Sequence, residues 1–464
     1  MRTAQTPVTS VHSRPLKSWV EETSVAPHGF TASEYCQLPE NTKSTISISF
    51  NADGSAFASS HGDHTIKIID SETFAVLHTL VGHPRTPWSV KCHPTDLNCV
   101  ASGCLAGNVR IWDIGREQTI HLIVVENAII SMSFHPFENL LALVVVNQCM
   151  FWKYEKDEKA IVNKCDAASQ NRSVESTERN PPVMRCVMFT RDGKYIVIGE
   201  TNGPVKNFVS SADSSNLTAI RLVLYEYVPE VVALRPPGEW SLACVNPRVI
   251  TETALLYNCG GVDFSPCSTK LVACIVDDRL DEDGTRDQGV VRSHRRDVRG
   301  GKTAKSAGKL DESFSLSSPK QDSRTDGASD NGIKVPPFLR RAVRRRASTP
   351  YKVAIFSLES RNFGSFIMTA PLSKSVALGV TSVKFSPSAS FIILGCGARP
   401  AHSHSHPHPA IVSIYRCEDM KLTSNMRSER DDLNIALFHP SPGNGFYYGT
   451  RHGKIRRVLI NNLR

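Results

Sequence analysis

One phrase recurs along the chain at a step of about 42 residues, and this repetition limits the available folds more than any other feature. The phrase is an alternating apolar strand ending on an aromatic or small residue, a turn, and a short apolar strand ending in small residues. A hairpin and a third strand follow. Its clearest copy runs from Gly82 to Arg116. It opens on Gly82-His83 and closes on Trp112-Asp113. Between them, Trp88 to Cys92 alternates as an inner strand must, and His93-Pro94-Thr95 turns the chain. Cys99 to Gly103 is a short buried strand, Ala106-Gly107-Asn108 a tight hairpin, and Val109 to Trp112 the third strand. One such unit cannot bury its own faces, so it requires neighbours.

The other copies begin at Ile46 to Phe50, Ile129 to Phe134, Val183 to Phe189, Gly261 to Phe264, Val380 to Phe385 and Leu433 to Phe438. The period and the Gly-His to Trp-Asp frame are those of a WD40 repeat. Seven copies imply an all-β, seven-bladed WD40 β-propeller. The seventh copy ends before a fourth strand, and an open sheet edge leaves unpaired N–H and C=O groups. The stretch Gly29 to Leu38 is expected to supply that strand to the blade of Phe438.

The domain boundaries follow. Residues 1–28 form a flexible N-terminal segment, in which Leu16 to Glu22 could make two helical turns around Trp19. Residues 29–464 form the propeller. Residues 279–350 interrupt blade five with few apolar side chains, and such a segment cannot offset its chain entropy, so disorder is expected there. Arg279 to Thr349 holds 17 Lys/Arg and 10 Asp/Glu, a charge of +7 out of +9 for the whole chain. The remaining +2 gives no duplex-binding surface, so no specific nucleic acid is expected. Arginines precede Ser348, making it a candidate regulatory phosphosite beside a solvated basic tract.

The 13 cysteines contain no C-x-x-C pair, and Cys99, Cys244 and Cys274 sit in apolar strand patterns. They act as small hydrophobes, which argues against disulfides or zinc. The apolar run Leu140 to Val146 is too short to span a bilayer, and no transmembrane segment is expected. The alternating histidines between Ala401 and Pro409 fit a polar loop extension.

Enzyme motifs are absent: there is no G-x-x-x-x-G-K-[ST], G-x-S-x-G or H-E-x-x-H. The carboxylates Asp281 to Asp283 and Asp431-Asp432 are expected to be solvated loop groups. His83, His93, His135 and His439 recur at fixed places, which suits turn hydrogen bonds better than proton transfer. No catalytic residue, metal or cofactor is nominated. Asp63, Gly82, His83, Arg85, Trp88 and Ser102 are the structural residues of the repeat. Ala106 stands where a turn Asp would complete the Trp-His network, so this network should be weaker in blade two than in the blade of Asp63.

The stretch Gly82 to Asp113, above all Arg85 to Trp88 with Ser102 to Cys104, resembles the N-terminal WD40 region of the Ambra proteins (activating molecule in Beclin-regulated autophagy). The likeness extends through Asn127 to Pro136. It implies a non-enzymatic adaptor acting as substrate receptor of a cullin-four RING ubiquitin ligase. Its partners would be the ligase's damage-specific DNA-binding adaptor and Beclin-type autophagy proteins, in the cytoplasm and, through the basic tract, the nucleus. Receptors of this class often carry W-D-x-R; here the order is Trp112-Asp113-Ile114-Gly115-Arg116, with the arginine one place late. Trp19, Trp112, Asp113 and Arg116 are the candidate adaptor-binding residues. The alternatives are a general WD40 scaffold or peptide reader using the central face, and an RNA-associated protein using the basic insert.

Overall fold

The computed structural model describes residues 30–146, 148–156, 158–163, 183–201, 219–228, 243–256, 259–276, 350–397, 410–428 and 430–460. Trp19, Ser348, the insert at 279–349 and the histidine tract at 401–409 lie outside them. Among the described residues, five four-stranded sheets and one eight-stranded sheet make seven antiparallel blades. The larger sheet is blades four and five, joined through one bridge between Ala254 and Ile275. Inner strands touch in sequence around the ring, and Thr45–Phe50 of blade one meets Leu433–Phe438 of blade seven. The chain is therefore a closed seven-bladed WD40 β-propeller.

The closing strand comes from the other end of the chain. Phe30–Tyr35 pairs antiparallel with Ile455–Ile460, the third strand of blade seven. Arg457 pairs with Glu34, and the Arg456 guanidinium lies 3.8 Å from the Tyr35 ring centroid. Both long cations thus cover the seam with their stems and heads.

Each blade buries both faces, and this explains its sequence pattern. Alternate residues of one strand enter different cores. Leu140, Ala142 and Val144 pack towards blade four, whereas Leu141, Leu143 and Val145 pack towards blade two. A strand buried on both sides must be apolar throughout. Second strands such as Cys99–Cys104, Leu140–Val145 and Phe391–Cys396 are buried at every residue. Among the described residues there are seven apolar clusters, one at each junction between successive blades.

Polar side chains add register to these seams. Ser49 Oγ accepts from Cys92 N at 3.0 Å, Ser133 Oγ from Phe189 N at 3.1 Å, and Ser382 Oγ from Ala436 N at 2.8 Å. Each bond joins inner strands of neighbouring blades. His135 and His439 do the same from their turns. Their Nδ1 atoms accept turn N–H groups, and Nε2 donates to Gly193 O at 3.2 Å or Gly54 O at 3.0 Å of the next blade. Their rings, like that of His93, stand edge-on to the next blade's aromatic, Phe189, Phe50 and Phe134 respectively.

Three expectations change. Blade four's outer strand, Ala243–Leu255, has no counterpart in the repeat pattern because Asn246-Pro247 interrupts it. Asn246 has φ of 52°, the register shifts beside it, and an outer strand tolerates proline because one edge is unpaired. A six-residue helix, Lys374–Gly379, capped by Ser373, leads into blade six; it is too short to leave a helical period. Asp431 and Asp432 are not solvated loop groups. Asp431 is buried, accepting from Tyr448 Oη at 2.8 Å and Arg456 Nη1 at 2.9 Å, and Asp432 accepts from Arg451 Nη1 at 2.9 Å.

The histidine seams give a test. Gly193 has φ of +68°, and a Cβ there would lie 2.5 Å from His135 Nε2. Gly193→Ala should cost about 1–3 kcal/mol from strain and lost seam geometry. Gly115→Ala, with its nearest neighbour at 3.3 Å and no positive φ, should be near neutral in the same urea titration.

Candidate partner-docking surface

In a four-stranded meander, the first and third turns lie at one end and the second at the other. The ring therefore has a face carrying the His-Pro turns together with the Trp-Asp turns. Blade two contributes His93 to Asn98 and Ile114 to Glu117 to this face, between Pro87–Cys92, Cys99–Cys104, Asn108–Asp113 and Gln118–Val124.

The Trp-Asp end is built from the inside outwards. Trp112 is only 1% exposed, and its Nε1 donates to Ser102 Oγ at 2.7 Å. The serine hydroxyl in turn donates to His83 Nε2, also at 2.7 Å. The imidazole proton then rests on Nδ1, which is buried without an acceptor among the described residues. Ala106, in the hairpin that follows Ser102, brings no carboxylate that could accept it. Arg110 lies 5.4 Å from the indole centroid, and a Cβ on Gly82 would sit 3.3 Å from Arg110 Cζ and Trp112. Burial, then Arg110 and His64, push the His83 pKa down to about 3. Trp112 thus supports the blade and offers no surface, which removes it from the adaptor-contact set.

Blade one does not hold the fuller network expected of it. Ile69 pairs there with Phe57 and no indole is present. Asp63 Oδ1 instead accepts from Thr65 N and Oγ1 at 3.0 and 2.7 Å, and Lys67 Nζ lies 3.8 Å from Oδ2. His61 is bonded to Thr45 Oγ1 and Ser59 Oγ, and burial takes its pKa to about 3.

Asp113 and Arg116 remain at the face. Asp113 Oδ1 accepts from Asn98 Nδ2 at 2.8 Å and Arg116 N at 3.0 Å, while Asn98 Oδ1 accepts from Gly115 N at 2.7 Å. These bonds fix the turn and keep the Asp113 carboxyl below the usual range, chiefly through Arg116 N. The Arg116 side chain is 75% exposed, its Nη1 3.7 Å from Asp113 Oδ2. Leu97 and Phe137, on turns of blades two and three, are 48% and 75% exposed on the same face. Arg85 is exposed and Trp88 half-buried, before and within the inner strand.

Nearer the axis lies a cavity of about 230 Å³. Lys91 of blade two, Arg191 of blade four and Lys384 of blade six line it, with Phe134 and Met188 in its wall. These residues were not foreseen as a site. The signal was present: Lys91 and Lys384 occupy the penultimate inner-strand position, where Ser49 and Ser133 stand in blades one and three. Among the described residues, no group of three or more His, Cys, Asp or Glu side chains could hold a metal, and no helix is long and apolar enough to cross a membrane.

Comparison with known proteins adds four findings. The model of the WD domain, G-beta repeat family matches residues 33–70 and 74–113. Activating molecule in BECN1-regulated autophagy protein 1B of Danio rerio is 40% identical over 149 residues, 32% of this chain and 11% of that protein. Its 1A counterpart is 35% identical over 170 residues, 37% of this chain and 12% of that protein. The matched stretch is thus little more than a tenth of either relative. The crystal structure of the Myceliophteria thermophila Cps50 (Swd1) beta-propeller domain superposes with a TM-score of 0.56 at 12% identity, covering 93% of this chain and 100% of that one. The latter likeness is one of fold. The chain is similar to Ambra-type WD40 proteins over about a third of its length.

The incomplete network predicts a stabilising change. Ala106→Asp should give His83 Nδ1 an acceptor and add about 1 kcal/mol at pH 7. The native protein binds fewer protons at His61 and His83 than the unfolded chain does, so its stability is full above pH 6.5 and falls as pH drops towards about 3. A carboxylate beside His83 raises that pKa, so the variant should lose less stability than the wild type between pH 7 and 5. Urea titrations at the two pH values measure both effects.

Proposed function

We propose that this chain is a non-enzymatic WD40 scaffold linked to the regulation of autophagy, and that it acts as a substrate receptor of a cullin-four RING ubiquitin ligase. The reading has the ligase's damage-specific DNA-binding adaptor docking on blade two's Trp-Asp turn and Beclin-type proteins among its further partners. It places the protein in the cytoplasm and nucleus. Support comes from the relatives named for BECN1-regulated autophagy and from one observation above others. Arg116 projects from a turn held by Asp113 and Asn98, with its guanidinium in solvent.

An exposed arginine on a rigid turn suits recognition by a partner's carboxylate or carbonyl, because its planar fork loses little freedom on binding. Leu97, on the first turn of the same blade, and Phe137, on the first turn of the next, expose apolar area on the same face. The one-residue shift from W-D-x-R is accommodated by Gly115, whose N–H closes the turn on Asn98.

Purified adaptor should be retained by the full chain, and Arg116→Glu should weaken retention at least tenfold with an unchanged melting temperature. Trp112→Phe should lower the melting temperature, since it removes the donor to Ser102. Wild-type protein that fails to bind the purified adaptor would discard the ligase reading. Equal binding by Arg116→Glu would remove the turn from it.

A further inference from the structure

We infer that the groove at the junction of blades seven and one is a docking site, separate from the blade-two turn, and that it takes an extended basic segment of a partner protein. The groove encloses about 960 Å³, room for several residues of chain. One wall is the end of the closing strand with the segment after it, Glu34 to Glu40. The other is the third turn of blade one, Glu72 to Val76. Cys36 Sγ donates to Phe74 O at 3.4 Å and ties the two walls together. Leu38, Phe74 and Val76 belong to the apolar cluster of this junction and give the groove a fixed, greasy floor.

The rim is acidic. Glu34, Glu40 and Glu72 are exposed lining residues, and Arg457 is the one lining cation. Three acids against one arginine leave a formal charge of −2. Arg457 is a fixed part of the wall. It bonds Glu34 through Nη2, donates to Ser71 O through Nη1 at 3.3 Å and lies 4.8 Å from the Phe74 ring centroid. Asp70 stands behind the turn, accepting from Thr73 N at 2.7 Å and Glu72 N at 3.0 Å. Arg456 and Lys454 are turned to the other face of blade seven, against Tyr35, and Arg456 is bonded there to Asp431 at 2.9 Å. Counting these two cations together with Asp70 and Asp431 leaves the balance at −2.

Acidic groups above an apolar floor select Lys and Arg, whose methylene stems cover the floor while their heads meet the carboxylates. An extended form suits the site, because Phe30–Tyr35 ends its sheet among the described residues and has a free edge. The whole chain carries +9, so its general field favours acidic ligands. A preference for basic ones must therefore come from a local surface.

The test is fluorescence anisotropy with the full chain and a labelled set of short peptides in which Arg and Lys permute with Leu and Val. Counterparts replace each cation by Glu. The basic set should contain peptides binding about tenfold tighter than their counterparts, with affinity falling as salt rises. Glu40→Lys and, separately, Glu72→Lys should each weaken binding about fivefold with an unchanged melting temperature, since both side chains are exposed. Glu126→Lys, an exposed acid between blades two and three, and Arg116→Glu should leave it unchanged, which separates the groove from general charge and from the adaptor turn. No preference for the basic set, or wild-type affinity in both groove variants, overturns the inference. The full chain with Arg340, Arg341, Arg344, Arg345 and Arg346 replaced by Ser should bind as wild type does. Much tighter binding by it would assign the groove to the chain's own basic tract and overturn the partner segment.

Discussion

Apolar packing between successive blades is the interaction on which the rest of the structure depends. A blade is a thin sheet with two greasy faces, and neither can be left in water. Seven clusters seal seven junctions, so every blade is stabilised by two neighbours. Hydrophobic burial has little directional preference. Register comes from the polar seam bonds of Ser49, Ser133 and Ser382 and from the His-Pro turns. Closure by Phe30–Tyr35 follows from the same logic, because the last sheet would otherwise present an open edge.

This arrangement separates structural from surface duties within one motif. In blade two, Trp112, Ser102 and His83 share a buried chain of hydrogen bonds, while Asp113, Asn98 and Arg116 shape the adjoining turn. The two groups are contiguous in sequence and opposite in role. A motif of this kind is therefore a poor guide to which of its residues a partner touches. Burial decides it, and burial depends on the neighbouring blade.

The fold was largely legible because a repeated period carries its own geometry. Seven inner strands ending near Phe50, Cys92, Phe134, Phe189, Phe264, Phe385 and Phe438 reveal the blade count before any contact is known. Legibility failed where local chemistry departed from the phrase. Asn246-Pro247 hid an outer strand, and six residues were too few to show the helix at Lys374–Gly379. Asp431 looked like a loop carboxylate because its partners, Tyr448 and Arg456, lie 17 and 25 residues away. The axial cavity was invisible for a similar reason: Lys91 and Lys384 come to line one space only through ring closure. What single residues offer to a partner was thus less readable than the architecture that displays them.

Buried cysteines mark several seams and allow the central claim to be measured directly. Cys99 lies between blades two and three, Cys186 between four and five, Cys396 between five and six, and Cys36 between seven and one. Burial pushes the thiols of Cys36, Cys99 and Cys396 up to about 12, which makes them unreactive in the folded ring. Pulsed thiol labelling across a urea gradient, read at each cysteine by mass spectrometry, reports the opening of each seam. Mutual support around a closed ring predicts one shared midpoint for all four. Separate midpoints, with one seam labelled while the others stay protected, would contradict it.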